Sequence, residues 1–586
     1  MKANEGSAYP DPRSRPLKVF AFDPSLGRQF SNHMTIHLPY EPVGRGPVGR
    51  KVAVVDWDFS CETFYEAVDL NDPWVLMNGG LDPAEGDPRF HQQMAYAVVS
   101  ETVARFESAL GREIQWGRAQ RDADEHKTLR VFPHAFQMAN AFYHPQLCAL
   151  LFGYFTAEDR GSGAQRVFTC LSHDIIAHET THAVLDSLRR HFAEPTGPDT
   201  LAFHEAFADI VALFLHFSVE DAVFDTIRRT GGQLFKSALD PLVAGGGKDI
   251  RAQMRRENPL VGLAQQFGHG LGRRKALRQA LGEEPDPKRL AEVTEPHDRG
   301  AILVAAVFDA FFTAYVNRTR DLMRLAATGS YGPELHHDLA RRLTAEATKT
   351  ASHFLDICIR AIDYCPPVDI RFGEFLRAMI TADRDLVPDD RHDYRGALIE
   401  AFQARGIHAD DVPSFSEDLL AWEAPQQDMH CEMLFKLTPD GETGSAVGIE
   451  IDYPAQMSLL EAFAVANAGQ LGLRKGFKPW SIQPIRRIAP DGRLQIEFAV
   501  EFVETHPQLL DPADFKGPTF PFHGGAAVIF NAHGDAKYTI RKSAGNTQRL
   551  KEQRQFRQGM MDGWACAPFI GGPLPDFHFG MVHGGM

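Results

Sequence analysis

Two stretches, HDIIAHETTHAVLD at 173–186 and LAFHEAFADIVALF at 201–214, decide how this chain folds and what chemistry it can do. Both are apolar at helical spacing and free of proline. Between them lies Glu194-Pro195-Thr196-Gly197-Pro198, a segment that ends one helix and starts another. In the first stretch His178 and His182 are four residues apart. On a helix that spacing puts both imidazoles on one face, with Cβ atoms about 5–6 Å apart. Glu179 points about 100° round the same helix, beside that face. An antiparallel return of the second stretch brings Glu205 over the first, with Asp209 one turn further along the same face.

The pattern His178-Glu179-Thr180-Thr181-His182 is H-E-x-x-H, and its residue types suit zinc. Neutral imidazole is a good zinc ligand, and catalytic zinc keeps three protein ligands and one open position. His178 and His182 supply two, and Glu205 is the expected third. Glu179 is then placed to act as general base on a zinc-bound water and to pass the proton to a leaving amine. Asp209 is expected behind His178, accepting the N–H on the far side of the ring. A continuation with glycine at 185 and histidine at 188 would indicate a third histidine ligand. Both positions are leucine, so the acidic third ligand is preferred. His173, His191, His204 and His216 read as ordinary partly buried or surface histidines.

The rest of the chain sets the frame. Its 586 residues lead us to expect two to four domains. Hydrophobic residues make up 44% and charged residues 24%, enough for sizeable cores. A net charge of −16 argues against a nucleic-acid groove or an anionic membrane surface as main partner. The seven cysteines are scattered without C-x-x-C, which fits a reducing compartment better than a disulfide framework. No apolar signal region opens the chain. The run AILVAAVFDAFFTAYV from Ala301 is short for a membrane span and holds Asp309, so it reads as a buried helix. A cytoplasmic location is expected.

Residues 1–16 read as a disordered tail and 17–170 as a β-rich lobe with one long helix at 90–111. LKVFAF, MTIHL, KVAVVDW and TFYEAV are strand-like, as are TLRVFPH, NAFYHP and LCALLFGYF. The loop 157–166 is expected to join two strands. Residues 171–408 read as a helical lobe carrying the zinc site. Residues 415–586 read as a further α+β domain of unassigned role. In it, Pro490-Asp491-Gly492 and His533-Gly534-Asp535 mark hairpin turns, and 457–472 reads as a helix. The fold class expected is α+β.

Taken together, HETTHAV and HEAFAD resemble the paired motif of thermolysin-like zinc metallopeptidases, the gluzincins. Five further stretches extend the resemblance over about 90–408: FHQQMAYAVVSETVARFESALG, Asn140-Ala141-Phe142-Tyr143, ALLFGYF before the zinc helix, EPHDRGAILVAAVFDAF, and the final helices from FGEFLRAM. The resemblance implies a two-lobed fold with the zinc helix on the cleft floor. It implies one Zn²⁺ on His178, His182 and Glu205, Glu179 as base and Asp209 behind the ligands. It further implies His297 as a donor to the oxyanion. The main-chain carbonyls of Asn140 and Ala141 would pair with an extended peptide or protein substrate. The chain departs from the family pattern in having no tyrosine between His182 and Glu205. Arg273 and Arg274 are candidates for the family's substrate-carbonyl arginine. Asp174 falls at a family calcium position, but position 216 is His, so no structural Ca²⁺ is expected. The propeptide common in the family is not visible. The G-x-M-E-N segment of zinc aminopeptidases is absent, so endopeptidase activity is expected. The alternative is a zinc-containing binding or scaffold protein with little or no catalysis. The sequence sets no oligomeric state.

Overall fold

Helix α1 (Pro88–Leu110) runs through the middle of the N-terminal half, and both of its ends are written into the sequence. Asp87 caps it by accepting the Arg89 N–H at 3.0 Å, and Pro88 takes the first turn, where its missing N–H costs nothing. Gly111 ends it with φ 68°, a conformation glycine adopts without strain. A Cβ at Gly111 would also meet the Arg486 carbonyl at 1.9 Å, so this cap is where the helix touches the C-terminal part of the chain.

The computed structural model describes residues 12–24, 32–116, 128–159, 163–221, 284–327, 335–439, 447–488 and 492–563, with single positions between 222 and 283. The architecture is α+β. Strands β1 (Ser14–Phe20) and β2 (His33–Pro39) form an antiparallel pair against α1. Strand β1 begins inside the stretch expected to be a disordered tail, and Arg15 is buried there on the Leu70 carbonyl. A mixed sheet follows, in the order β3 (Val52–Val54), β4 (Leu129–Phe136), β6 (Ala149–Asp159), β5 (Ala141–His144), with β7 (Gly163–Phe168) paired to β6. Strands β3, β4 and β6 are parallel neighbours. The β6–β7 hairpin joins two strands as expected, but 157–159 and 163–166 of the expected loop are paired within it, so the strands run further than the polar sequence suggested.

The stretches at 173–186 and 201–214 lie in helices α2 (His173–Leu188) and α3 (Pro198–His216). Both are buried almost all round, which is why their sequences lack a polar face. Helix α4 (Pro296–Ala327) packs along α3. It contains the expected buried run from Ala301, and Asp309 is neutralised inside by Arg405 at 2.8 Å. Among the described residues this is the one helix long and apolar enough to cross a membrane, and most of it is buried in the protein. Gly300 lets α4 approach closely, since a Cβ there would lie 2.9 Å from the Ala202 carbonyl of α3. Helices α5 (His337–Ala361), α6 (Phe372–Leu386) and α7 (Tyr394–Ala404) complete this half.

The C-terminal segment holds helix α8 (Tyr453–Ala466) and a four-stranded antiparallel sheet. The sheet runs β8 (Lys478–Ile488), β9 (Leu494–Leu509), β10 (Thr519–Asn531), β11 (Ala536–Lys542), followed by helix α9 (Thr547–Gly563). Strands β8 and β9, and β10 and β11, pair antiparallel on either side of the two expected turns, and Gly534 takes φ +90° in the second. The two faces of the sheet belong to different cores. Phe498, Val500, Phe502, Ala526 and Val528 pack with α8 in a core of their own. Ile485, Ala499, Ala527, Ile529 and Ile540 join the main core of the helical half. Buried ion pairs stitch the same seam: Arg189 with Glu501, Lys542 with Glu374 at 2.6 Å, and Arg549 with Asp369 at 3.1 Å.

Candidate metal centre

Helix α2 presents His178 and His182 with their rings perpendicular, centroids 4.6 Å apart and Nε2 atoms 3.0 Å apart. Helix α3 brings the Glu205 carboxylate to them. Its Oε2 is 3.4 Å from His178 Nε2 and its Oε1 is 3.8 Å from His182 Nε2. All three side chains are buried. The Pro195–Pro198 break lets α3 fold back along α2, so the spacing argument and the geometry agree on these residues.

The outer nitrogens determine which way the inner ones face. His178 Nδ1 lies 2.8 Å from Asp209 Oδ1. A carboxylate only accepts, so Nδ1 carries the hydrogen and Nε2 turns its lone pair toward Glu205. His182 Nδ1 lies 2.7 Å from His204 Nδ1, and the two rings stack with centroids 4.8 Å apart. Two imidazole nitrogens and a carboxylate converge on one point. That donor set fits zinc, and among the described residues this is one of three such groups.

No known protein family model matches this sequence, and no curated protein matches it either.

Around the donor set stand the other expected residues. Glu179 is buried, and its Oε2 accepts the main-chain N–H of Tyr143 at 3.1 Å. That bond ties the carboxylate to strand β5, the outer strand of the mixed sheet on this side. His297, at the start of α4, places Nε2 3.6 Å from Glu205 Oε2. Its Nδ1 is 2.9 Å from Glu295 Oε1, and its side chain is 32% exposed, so it faces solvent at the rim. Burial opposes protonation of His297, but the carboxylates of Glu205 and Glu295 outweigh it and push its pKa up to about 9.

The geometry changes the reading of Asn140. Its carbonyl, expected to pair with a substrate, accepts the Gly153 N–H at 2.9 Å inside the sheet. Main-chain groups alternate in direction along a strand. With the Asn140 carbonyl turned inward and the Tyr143 N–H turned outward to Glu179, the outward-facing residues are Ala141 and Tyr143. Ala141 therefore keeps its expected orientation, and Asn140 instead buries its side chain and caps the Ala141 N–H at 2.9 Å.

Three further residues belong to the site and were missed from sequence. His204 is not an ordinary histidine but the partner of His182; its place directly before Glu205 was the available signal. Tyr143 acts through its backbone, for which sequence carries no signal. Glu295 holds His297 and is two residues from it. The other histidines have separate partners. Asp174 pairs with His216 at 3.1 Å, and His173 lies 3.4 Å from Glu101. His191 meets Glu194 at 2.7 Å, whose other oxygen is 2.8 Å from His523 of β10. Arg273 and Arg274 lie outside the described residues.

Proposed function

We propose that this chain is a zinc-dependent metallopeptidase, acting as an endopeptidase on peptide or protein substrates. Its two-lobed build would be thermolysin-like, with the β-rich lobe 17–170 and the helical lobe 171–408 flanking the cleft. The C-terminal α+β segment 415–586 is an addition to that plan. The observation that carries this reading is the convergence of His178, His182 and Glu205 with Glu179 held beside them by the Tyr143 N–H. A structural zinc site has no use for such a base and closes its fourth position with protein.

Zinc on His178, His182 and Glu205 would supply Lewis acidity toward a carbonyl and acidify water at neutral pH. Glu179 takes the proton of the attacking water on its carboxylate and delivers it to the leaving amine. The Tyr143 N–H keeps that carboxylate aimed at the site. Asp209 and His204 fix the ring orientations of the two histidines. His297 donates from Nε2 to the oxygen on which negative charge develops, and Glu295 holds its other nitrogen. The outward edge of β5 at Ala141 offers backbone pairing to an extended chain.

The test is zinc content and cleavage of unfolded casein by wild type beside Glu179→Gln. Zinc in both with cleavage only by wild type supports the reading. A zinc-loaded wild type that cleaves neither casein nor short peptides overturns it, in favour of a zinc-containing binding or scaffold protein.

A further inference from the structure

A second group of donors lies apart from the site just described and is built on the same plan. His91 of α1 and His134 of β4 face each other with His91 Nδ1 2.8 Å from His134 Nε2. The Sγ of Cys170 completes the group, with all three donor atoms within 4.8 Å of one another. Each of the three residues is at most 1% exposed.

The outer nitrogens again decide what the inner ones present. His91 Nε2 lies 2.9 Å from the Glu85 carbonyl, which only accepts. That nitrogen therefore carries the hydrogen, and Nδ1 offers a lone pair. His134 Nδ1 lies 2.7 Å from Asp56 Oδ1. The other Asp56 oxygen accepts from Gln92 Nε2 at 2.8 Å, and Gln92 is oriented by the Val68 N–H on its own carbonyl oxygen at 2.9 Å. Asp56 thus sits as an acceptor behind His134, as Asp209 sits behind His178. With Asp56 ionised, His134 Nε2 also offers a lone pair.

Two lone pairs 2.8 Å apart require one positive charge between them, either a proton or a metal ion. A proton needs only the two nitrogens. The thiol of Cys170, brought to the same point in an otherwise aromatic enclosure, selects the metal. Phe168 packs on His91 and His134 with ring centroids 4.6 and 5.5 Å away, and Tyr65 packs on His134 at 4.6 Å. A dication, one thiolate and the Asp56 carboxylate sum to no net charge, which such an enclosure favours.

We propose that His91, His134 and Cys170 bind a second zinc ion, apart from the one at His178. Imidazole nitrogen and thiolate sulfur are both zinc ligands, and sulfur distinguishes this site from the all-nitrogen-and-oxygen centre at His178. The ion joins three elements: the first turn of α1, strand β4, and the turn two residues before α2. It pins the start of the helix that carries His178 and His182 to the sheet. The proposal is independent of peptidase activity.

Metal-stripped full chain is reloaded with Zn²⁺ or Co²⁺ alone, as wild type, His178→Ala and Cys170→Ser, with near-ultraviolet circular dichroism as the check on folding. Wild type is expected to take up roughly two ions, and each folded variant roughly one. The Co²⁺ forms of wild type and His178→Ala are expected to show a thiolate-to-cobalt charge-transfer band that is absent from Cys170→Ser. Uptake of a single Zn²⁺ by wild type, lost with His178→Ala, would overturn the proposal. So would a wild-type cobalt spectrum without the sulfur band, a reading that stands even where a variant fails to fold. Zinc retained in full by folded Cys170→Ser also overturns it.

Discussion

At the scale of single residues, the carboxylates around the metal set divide by what they touch. Glu179 is not one of the three donors and is held by a backbone N–H, so removing its charge leaves the donor set in place. Glu179→Gln is expected to retain zinc while casein cleavage falls by on the order of 10²–10⁴-fold. Measured metal content and cleavage rate, taken on the same preparation, check both halves. Asp209 acts through His178. Asp209→Asn can turn its N–H donor toward Nδ1 and unsettle the tautomer, so zinc affinity is expected to fall by about 10–100-fold. Competition with a chelator measures this, and unchanged affinity would remove Asp209 from the site. His178, His182, Glu205 and Asp209 were legible because helical spacing pairs them within each helix and the Pro195–Pro198 break turns the second helix back onto the first. Asn140 was misread because the direction of a carbonyl depends on which neighbour a strand pairs with, and residue type does not encode that.

At the scale of elements, the candidate metal centre is a crossing of α2, α3 and α4, and its tightest point is Gly300 against the Ala202 carbonyl. Gly300→Val forces the backbones of α3 and α4 apart. We expect a loss of about 1–3 kcal/mol of stability together with reduced cleavage. Cleavage suffers because His297 lies three residues before Gly300 on the same helix. Denaturant unfolding and kcat for a peptide substrate test it; a variant as stable and active as wild type refutes the close approach. The α2 break, the long α1 and the two C-terminal hairpins could all be read in advance, since Pro, Gly and Asp act locally. The burial of Glu497 and Glu501 in β9 could not. A strand reading EFAVEFVE suggests a solvated glutamate face, yet these carboxylates meet Lys537, Arg487 and Arg189, the last supplied by the distant end of α2.

At the scale of the whole molecule, the C-terminal sheet is fastened to the helical half by charge as well as by apolar contact. Glu194 shows how this fastening responds to pH. Burial opposes its ionisation, but N–H donation from His191 and His523 prevails and holds the carboxyl well below its ordinary value of 4.5. A carboxyl depressed in the folded state binds protons first in the unfolded one. Its stabilisation is therefore complete above about pH 4.5 and is lost as pH falls toward the folded value. Glu194→Gln is expected to lower stability by about 1.5–3 kcal/mol at pH 7. Its melting temperature should also change less than that of wild type between pH 5 and pH 3, roughly the window in which the unfolded carboxyl titrates. Parallel melting curves across that range would contradict the assignment. Truncation before residue 415 strips Ile485, Ala499, Ala527, Ile529 and Ile540 from the main core and leaves Arg189 buried without Glu501. The shortened chain is expected to be insoluble or to lose zinc, read by sedimentation and metal analysis; a soluble, zinc-loaded fragment would refute this.

The pairing of Arg189 with Glu501 also imposes an order on events during synthesis. Arg189 directly follows the metal helix, while its carboxylate partner lies 312 residues further along the chain. A ribosome releases the whole α2–α3 hairpin long before it makes β9. Throughout that interval the cation that follows α2 lacks its carboxylate partner on β9. Whatever reaction the centre carries out, its final packing is therefore deferred until almost the entire polypeptide has emerged.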